Sequence, residues 1–123
     1  MPKVVVIVED SDSVAAALAV ALEVNLGIRV MVAHHPQTAL SLFLGESEIS
    51  AVVTDLNLPA LDGFELIGAL RKLRPYASLP AVMITGEDDP ELFNISPEFQ
   101  PNIILRKPFS PREVCRVVAS LLL

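Results

Sequence analysis

Tryptophan is absent from this 123-residue chain, and tyrosine and cysteine occur once each. A lone cysteine, Cys115, cannot close a disulfide within the chain, which excludes a disulfide-stapled framework and agrees with a reducing compartment. Basic residues are also scarce. Nine Lys and Arg stand against fifteen Asp and Glu, for a net charge of -6. That sign is wrong for the electrostatic footprint of a nucleic-acid binder, so no direct nucleic-acid binding is expected. Long hydrophobic runs are missing: the longest uncharged apolar stretch, Val14 to Leu22, is far below the roughly 20 residues of a membrane span, so no membrane partner is expected. Met1-Pro2-Lys3 leads straight into Val4 to Val8, and Glu9 and Asp10 cut that run too short for a secretory signal, which points to a cytoplasmic address. There is no internal repeat, low-complexity tract or linker, so residues 1–123 are expected to form a single domain.

What is present is an alternation of apolar runs and helical patterns, the signature of βα units building a parallel sheet. Val4 to Val8 reads as the first strand, and a helix from about Ser13 to Asn25 follows, stopped by Gly27. This helix carries no charge from Val14 to Leu22. Val14, Leu18, Ala21 and Leu22 form its inward stripe, while Ala16, Ala19 and Val20 should face outward. Ile28 to Ala33 is the second strand, and Pro36 opens a second helix with Ala39, Leu40 and Phe43 inward, ended by Gly45. Ala51 to Thr54 is a short buried strand that delivers Asp55. A third helix spans about Phe64 to Leu73, with Arg71, Lys72 and Arg74 in its last turn suiting the helix dipole.

Pro80 to Ile84 is the fourth strand, ending at Thr85. The next segment is broken by prolines. Pro90 can open a helix, but Pro97 and Pro101 would each cost about 3 kcal/mol inside one, so the fourth helix should be short or irregular, running only from Pro90 to Ile95. Ile103 to Arg106 is the fifth strand, and Ser110-Pro111-Arg112-Glu113 is a capping box opening a last helix with Val114, Val117, Val118, Leu121 and Leu122 on one stripe.

Four strands end on polar residues: Glu9 and Asp10, then Asp55, Thr85 and Lys107. Right-handed crossovers bring every carboxyl end of a parallel sheet to one rim. With the first strand central, the order reverses between strands one and three, and Asp10 and Asp55 face each other across that crevice. Two carboxylates at roughly 4 Å repel by about 4 kcal/mol at an effective dielectric near 20, so a positive partner must share the site. Lys107 is one candidate and Mg²⁺, which takes oxygen ligands, is the other. Asn57 could offer its backbone carbonyl to the same ion. A carboxylate so placed can act as a nucleophile toward phosphorus, with metal and lysine bearing the charge of the transferred group and Thr85 donating its hydroxyl.

These residues resemble the receiver domain of two-component response regulators. The resemblance covers essentially the whole chain and rests on Glu9-Asp10, on Asp55 followed by Leu58-Pro59-Ala60-Leu61-Asp62-Gly63, on Thr85-Gly86, and on Lys107-Pro108-Phe109. It implies a flavodoxin-like (CheY-like) α/β fold, a doubly wound five-stranded parallel sheet of order 2-1-3-4-5. It further implies that Asp55 is the phosphoacceptor, that Asp10 binds Mg²⁺ directly with Glu9 assisting through water, that Thr85 and Lys107 hold the phosphoryl group, and that the Lys107–Pro108 peptide is cis. A histidine kinase or histidine phosphotransfer protein is the implied donor, and an output domain or protein the implied recipient of the signal. Such a protein is no enzyme beyond catalysing its own phosphorylation and dephosphorylation. Two departures stand out. The family often has Tyr or Phe three residues before the lysine, where this chain has Ile104, and the broken fourth helix lies on the same face.

Plainer readings compete at several positions. Alone, Asp55 would be a carboxylate capping a turn; Asp10, Thr85 and Lys107 turn the reading toward chemistry. His34 and His35 are adjacent rather than at metal-ligand spacing, and read as a solvated loop pair. Cys115 is a small buried hydrophobe, and Glu87, Asp88 and Asp89 a solvated run capping the fourth helix. The outward face of the first helix is either a tight packing face or a docking surface for a donor. The alternative function is a degenerate receiver that binds a partner without phosphorylation. An aspartate-nucleophile phosphatase fits less well, because the second acid two residues on is replaced by Asn57. Flavin binding fails because Glu9-Asp10-Ser11-Asp12 would repel phosphate.

Overall fold

Five short apolar strands pair in the order β2-β1-β3-β4-β5, all parallel. They are β1 (Val4–Val8), β2 (Arg29–Ala33), β3 (Ile49–Asp55), β4 (Ala81–Thr85) and β5 (Ile103–Arg106). The computed structural model describes residues 2–45 and 48–123. Strands β1 and β4 are buried along their whole length, and β3 everywhere but at Ser50, because helices cover both faces. Side chains alternate between two apolar cores. Val4, Val6 and Val8 join one with Ala39, Phe43, Leu66, Ile67 and Leu70. Val5 and Ile7 join the other with Leu18, Leu22, Val114 and Val118. A register shift between Val4 and Val5 lets β3 slip one residue, at Ser50, and still keep Ile49 and Ala51 on the correct faces.

The helices are α1 (Asp12–Leu26), α2 (Pro36–Gly45), α3 (Gly63–Arg71) and α4 (Pro111–Leu121). Three of them, α1, α3 and α4, start where a specific side chain accepts from an orphan backbone N–H. The Ser11 hydroxyl accepts from the Val14 N–H at 3.4 Å to open α1, and Gly27, at φ 64°, accommodates the left-handed cap that closes it. Ser110 and Glu113 form the expected capping box at α4. A second one, Asp62 with Glu65, opens α3 immediately after the Asp55 loop.

Between β4 and β5 the helix expected from Pro90 to Ile95 is replaced by two single 3₁₀ turns, Pro90–Phe93 and Pro97–Phe99. The prolines are the cause, since each opens a turn that the next one prevents from continuing. This strap is nevertheless well fastened. The Phe99 ring lies against Gly68, where no Cβ would fit. The Gln100 side chain donates to the carbonyls of Phe93 and Ile95. Arg71 donates to the carbonyls of Glu98, Gln100 and Leu79 and to the Asn102 side chain. Arg71 stands in the last turn of α3, as expected, and it also clamps the strap and β4 to α3. Burial lowers its pKa from the usual arginine value.

Other expectations shift by small amounts. Helix α1 begins one residue earlier and ends one later than expected, β2 begins at Arg29, and α3 runs from Gly63 to Arg71 rather than to Leu73. On α1 the fully buried residues are Ala15, Leu18 and Leu22, with Val14 and Ala21 only half-buried, so the stripe is rotated slightly from the expected one. Ala19 consequently packs against the core, while Ala16 and Val20 face outward. Among the described residues no helix is long and apolar enough to cross a membrane.

Candidate functional site at the carboxyl rim

Strand β3 carries Asp55 to the sheet rim between β1 and β4, where Leu56 N–H still pairs with the Ile84 carbonyl. The carboxylate is 5% exposed. Its Oδ1 accepts from the Asn57 N–H at 3.3 Å, and its Oδ2 accepts from Lys107 Nζ at 3.0 Å. Lys107 arrives from β5, whose last turn is held by its own N–H on the Thr85 carbonyl at 2.8 Å. The Lys107–Pro108 peptide is cis, as the resemblance implied. Gly63 is packed so closely beneath this corner that a Cβ would lie 2.5 Å from the Asp55 carbonyl oxygen.

Glu9, Asp10 and Asp55 each bring a carboxylate oxygen within 4.8 Å of the others. Asp10 is exposed, whereas Glu9 is only 4% exposed and accepts from the Ser11 N–H at 3.1 Å. Burial pushes the Glu9 carboxyl up to about 7; the Ser11 N–H pulls the other way, the charge and hydrogen bonding of Asp55 raise it further, and Lys107 offsets part of that. Even with Glu9 protonated, Asp10 and Asp55 set two carboxylates against the one ammonium of Lys107. An all-oxygen donor set of this kind fits a hard divalent cation such as Mg²⁺.

The β4 end supplies Thr85, fully buried, whose Oγ1 accepts the Glu87 N–H at 2.9 Å. All the expected site residues thus converge on one rim: Glu9 and Asp10 after β1, Asp55 and Asn57 after β3, Thr85 ending β4 and Lys107 after β5. One neighbour was misjudged from sequence. His34 is not merely solvated: its Nδ1 lies 2.9 Å from the Glu9 carbonyl oxygen and its Nε2 3.2 Å from Asp12 Oδ1, so it ties the end of β2 to the acidic loop. The pairing of Val8 with Ala33 puts His34 beside Glu9, and only the strand register reveals that.

The strands, their order and the polar rim match one family over most of the chain, the response regulator receiver domain, whose model spans residues 5–119. The chain belongs to this family. A receiver-sized relative, an uncharacterized 14.6 kDa protein of Leptolyngbya boryana, is 35% identical over 93% of this chain and 86% of its own length. The alkaline phosphatase synthesis transcriptional regulatory protein PhoP of Bacillus subtilis is 32% identical over 99% of this chain but only 49% of PhoP. Among solved structures, the chemotaxis response regulator CheY4 of Vibrio cholerae superposes with a TM-score of 0.87 at 26% identity, covering 99% of this chain and all of that one. This receiver departs from the expected aromatic position. Ile104 pairs with Met83 and packs half-buried on the α2/α3 side, where the strap adds a ring of its own: Phe93 meets Phe64 of α3 edge-on at 5.5 Å and lies under the Arg106 guanidinium at 5.0 Å.

Proposed function

We propose that Asp55 is the phosphoacceptor of this receiver and that residues 1–123 act as one receiver unit. The supporting observation is the pairing of a buried Asp55 carboxylate with Lys107 at 3.0 Å beside the oxygen cluster of Glu9 and Asp10. Asp10, Asp55 and the Asn57 carbonyl would hold Mg²⁺, with Glu9 assisting through water. Bound there, Mg²⁺ supplies positive charge to the phosphoryl oxygens. A carboxylate oxygen of Asp55 attacks the phosphorus, and the bond to the donor's imidazole nitrogen breaks with its electron pair leaving on that nitrogen. Lys107 shifts its contact from the free carboxylate toward the incoming phosphoryl oxygens, and Thr85 turns its hydroxyl proton to the same group. The donor is a histidine kinase or histidine phosphotransfer protein, meeting the outward face of α1, where Val20 and Val24 are 59% and 77% exposed. The chain's catalysis is confined to its own phosphorylation and dephosphorylation in the cytoplasm. The added charge of about -1.5 to -2 biases the loops after β3 and β4, and an output domain or protein reads that change.

Incubation with acetyl phosphate and Mg²⁺, followed by intact-mass measurement, tests the proposal. A phosphate-sized mass gain is expected in the native chain and none in Asp55→Asn; no gain in the native chain would sink it.

A further inference from the structure

The strap that replaces a helix between β4 and β5 leaves a cavity of about 470 Å³ against the start of α3. Its walls are apolar: Leu56, Phe64, Leu92, Ile95 and Phe99. Its volume falls within the roughly 300–1,000 Å³ typical of small-molecule sites. Three features make it more than a crease. First, the walls are held from behind, by the Phe99 ring against Gly68, by Gln100 on the carbonyls of Phe93 and Ile95, and by Arg71 on the carbonyls of Glu98 and Gln100. A wall fastened this way resists collapse into the space. Second, Leu92 is 39% exposed, and it lines the cavity instead of packing into the core. Third, the lining carries carboxylates on Asp62, Glu65 and Glu87 and no lysine or arginine.

The charge pattern selects the occupant. Asp62 and Glu65 each give one oxygen to the capping box, at 2.9 and 3.1 Å, so both are held in place. Glu87, which follows β4, is exposed and also lines the cavity. An anion would meet like charge from three carboxylates, whereas a cationic group would find complementary charge beside the apolar walls. Asn57 also lines the cavity, with its N–H already given to Asp55 Oδ1.

We propose that this cavity is a ligand site for a compact, largely apolar molecule that is neutral or cationic and carries no anionic group. The site is distinct from the carboxylate cluster and does not depend on phosphorylation of Asp55, so its test and that of the acceptor can fail separately. The charge rule can be read with a matched pair of fluorescent probes, neutral N-phenyl-naphthylamine and its sulfonated counterpart anilinonaphthalene sulfonate. Titrated against the full chain, the neutral probe should saturate one site and bind about tenfold more tightly than the sulfonate. Glu87→Lys should narrow that gap to about threefold or less, and Leu92→Trp, which fills the mouth from an exposed position, should weaken the neutral probe at least about tenfold. Amide chemical shifts of the unsubstituted chain locate the probe without relying on any variant. They should move at Leu56, Asn57, Glu87 and Ile95 and stay fixed at Gly27. Equal affinity for the two probes, absence of saturable binding, or shifts centred on Val20 and Val24 would each overturn the proposal.

Discussion

Glu9 is the residue whose state depends most on its surroundings. Its carboxyl sits at about 7 in the folded chain against an ordinary value of 4.5, because it is buried beside Asp55. The folded state therefore holds a proton that the unfolded state has already released. Protonation of Glu9 stabilises the fold fully below about pH 4.5, and that contribution is lost as pH rises through about 7. A shift of this size corresponds to a decline of up to about 3 kcal/mol. Urea unfolding across that window, without metal, should show a steeper fall in the native chain than in Glu9→Gln. Parallel pH profiles for the two would contradict the assignment. Gly63 is a second residue with little tolerance. A Cβ there would press on the Asp55 carbonyl, the Met83 methyl and the Leu56 Cα, two of them backbone atoms that cannot turn aside. Gly63→Ala should cost about 1–3 kcal/mol in thermal unfolding and slow acetyl phosphate labelling by displacing the acceptor. Labelling at the native rate would show that the corner yields without harm.

At the scale of elements, the strap departs from regular structure and α1 offers the exposed apolar face. Arg71 joins three segments through one guanidinium, and its fork geometry is what allows Leu79, Gln100 and Asn102 to be served together. Arg71→Met should destabilise the chain by about 2–3 kcal/mol, and Arg71→Lys should recover little of that, because a point-like ammonium cannot reach the same acceptors. Hydrogen exchange should quicken at the strap's ordered amides, such as those of Phe99 and Gln100, in both variants; full rescue by lysine would mean charge rather than geometry matters. On α1, Val20→Glu adds charge to an exposed face without touching the core. It should slow phosphotransfer from a protein donor and spare acetyl phosphate. Equal slowing of both would remove α1 from the donor interface.

Over the whole molecule, what could be read from sequence was whatever depends on periodicity and chain order. Apolar runs separated by helical patterns specify a parallel sheet, and a parallel sheet brings all strand ends to one rim. Asp10, Asp55, Thr85 and Lys107 were therefore placed together before any distance was known. Prolines 90, 97 and 101 announced a broken segment for the same local reason. What stayed hidden depends on contacts between elements distant in sequence. The acceptors of Arg71 are carbonyls presented by tertiary packing, His34 meets Glu9 only through strand register, and the cavity is lined jointly by the β3–α3 corner and the strap. The Asp62 and Glu65 capping box is different, because its Asp-x-x-Glu spacing is local and legible in the sequence.

The central claim is that the chemistry of this receiver passes through one carboxylate, and it can be tested at that atom. After acetyl phosphate and Mg²⁺ treatment, borohydride reduces an acyl phosphate to an alcohol and leaves free carboxylates intact. Tandem mass spectrometry of the digested chain should then find homoserine at position 55 and unchanged acids at positions 9 and 10. Reduction at Glu9 or Asp10, or at no acid at all, would contradict the account.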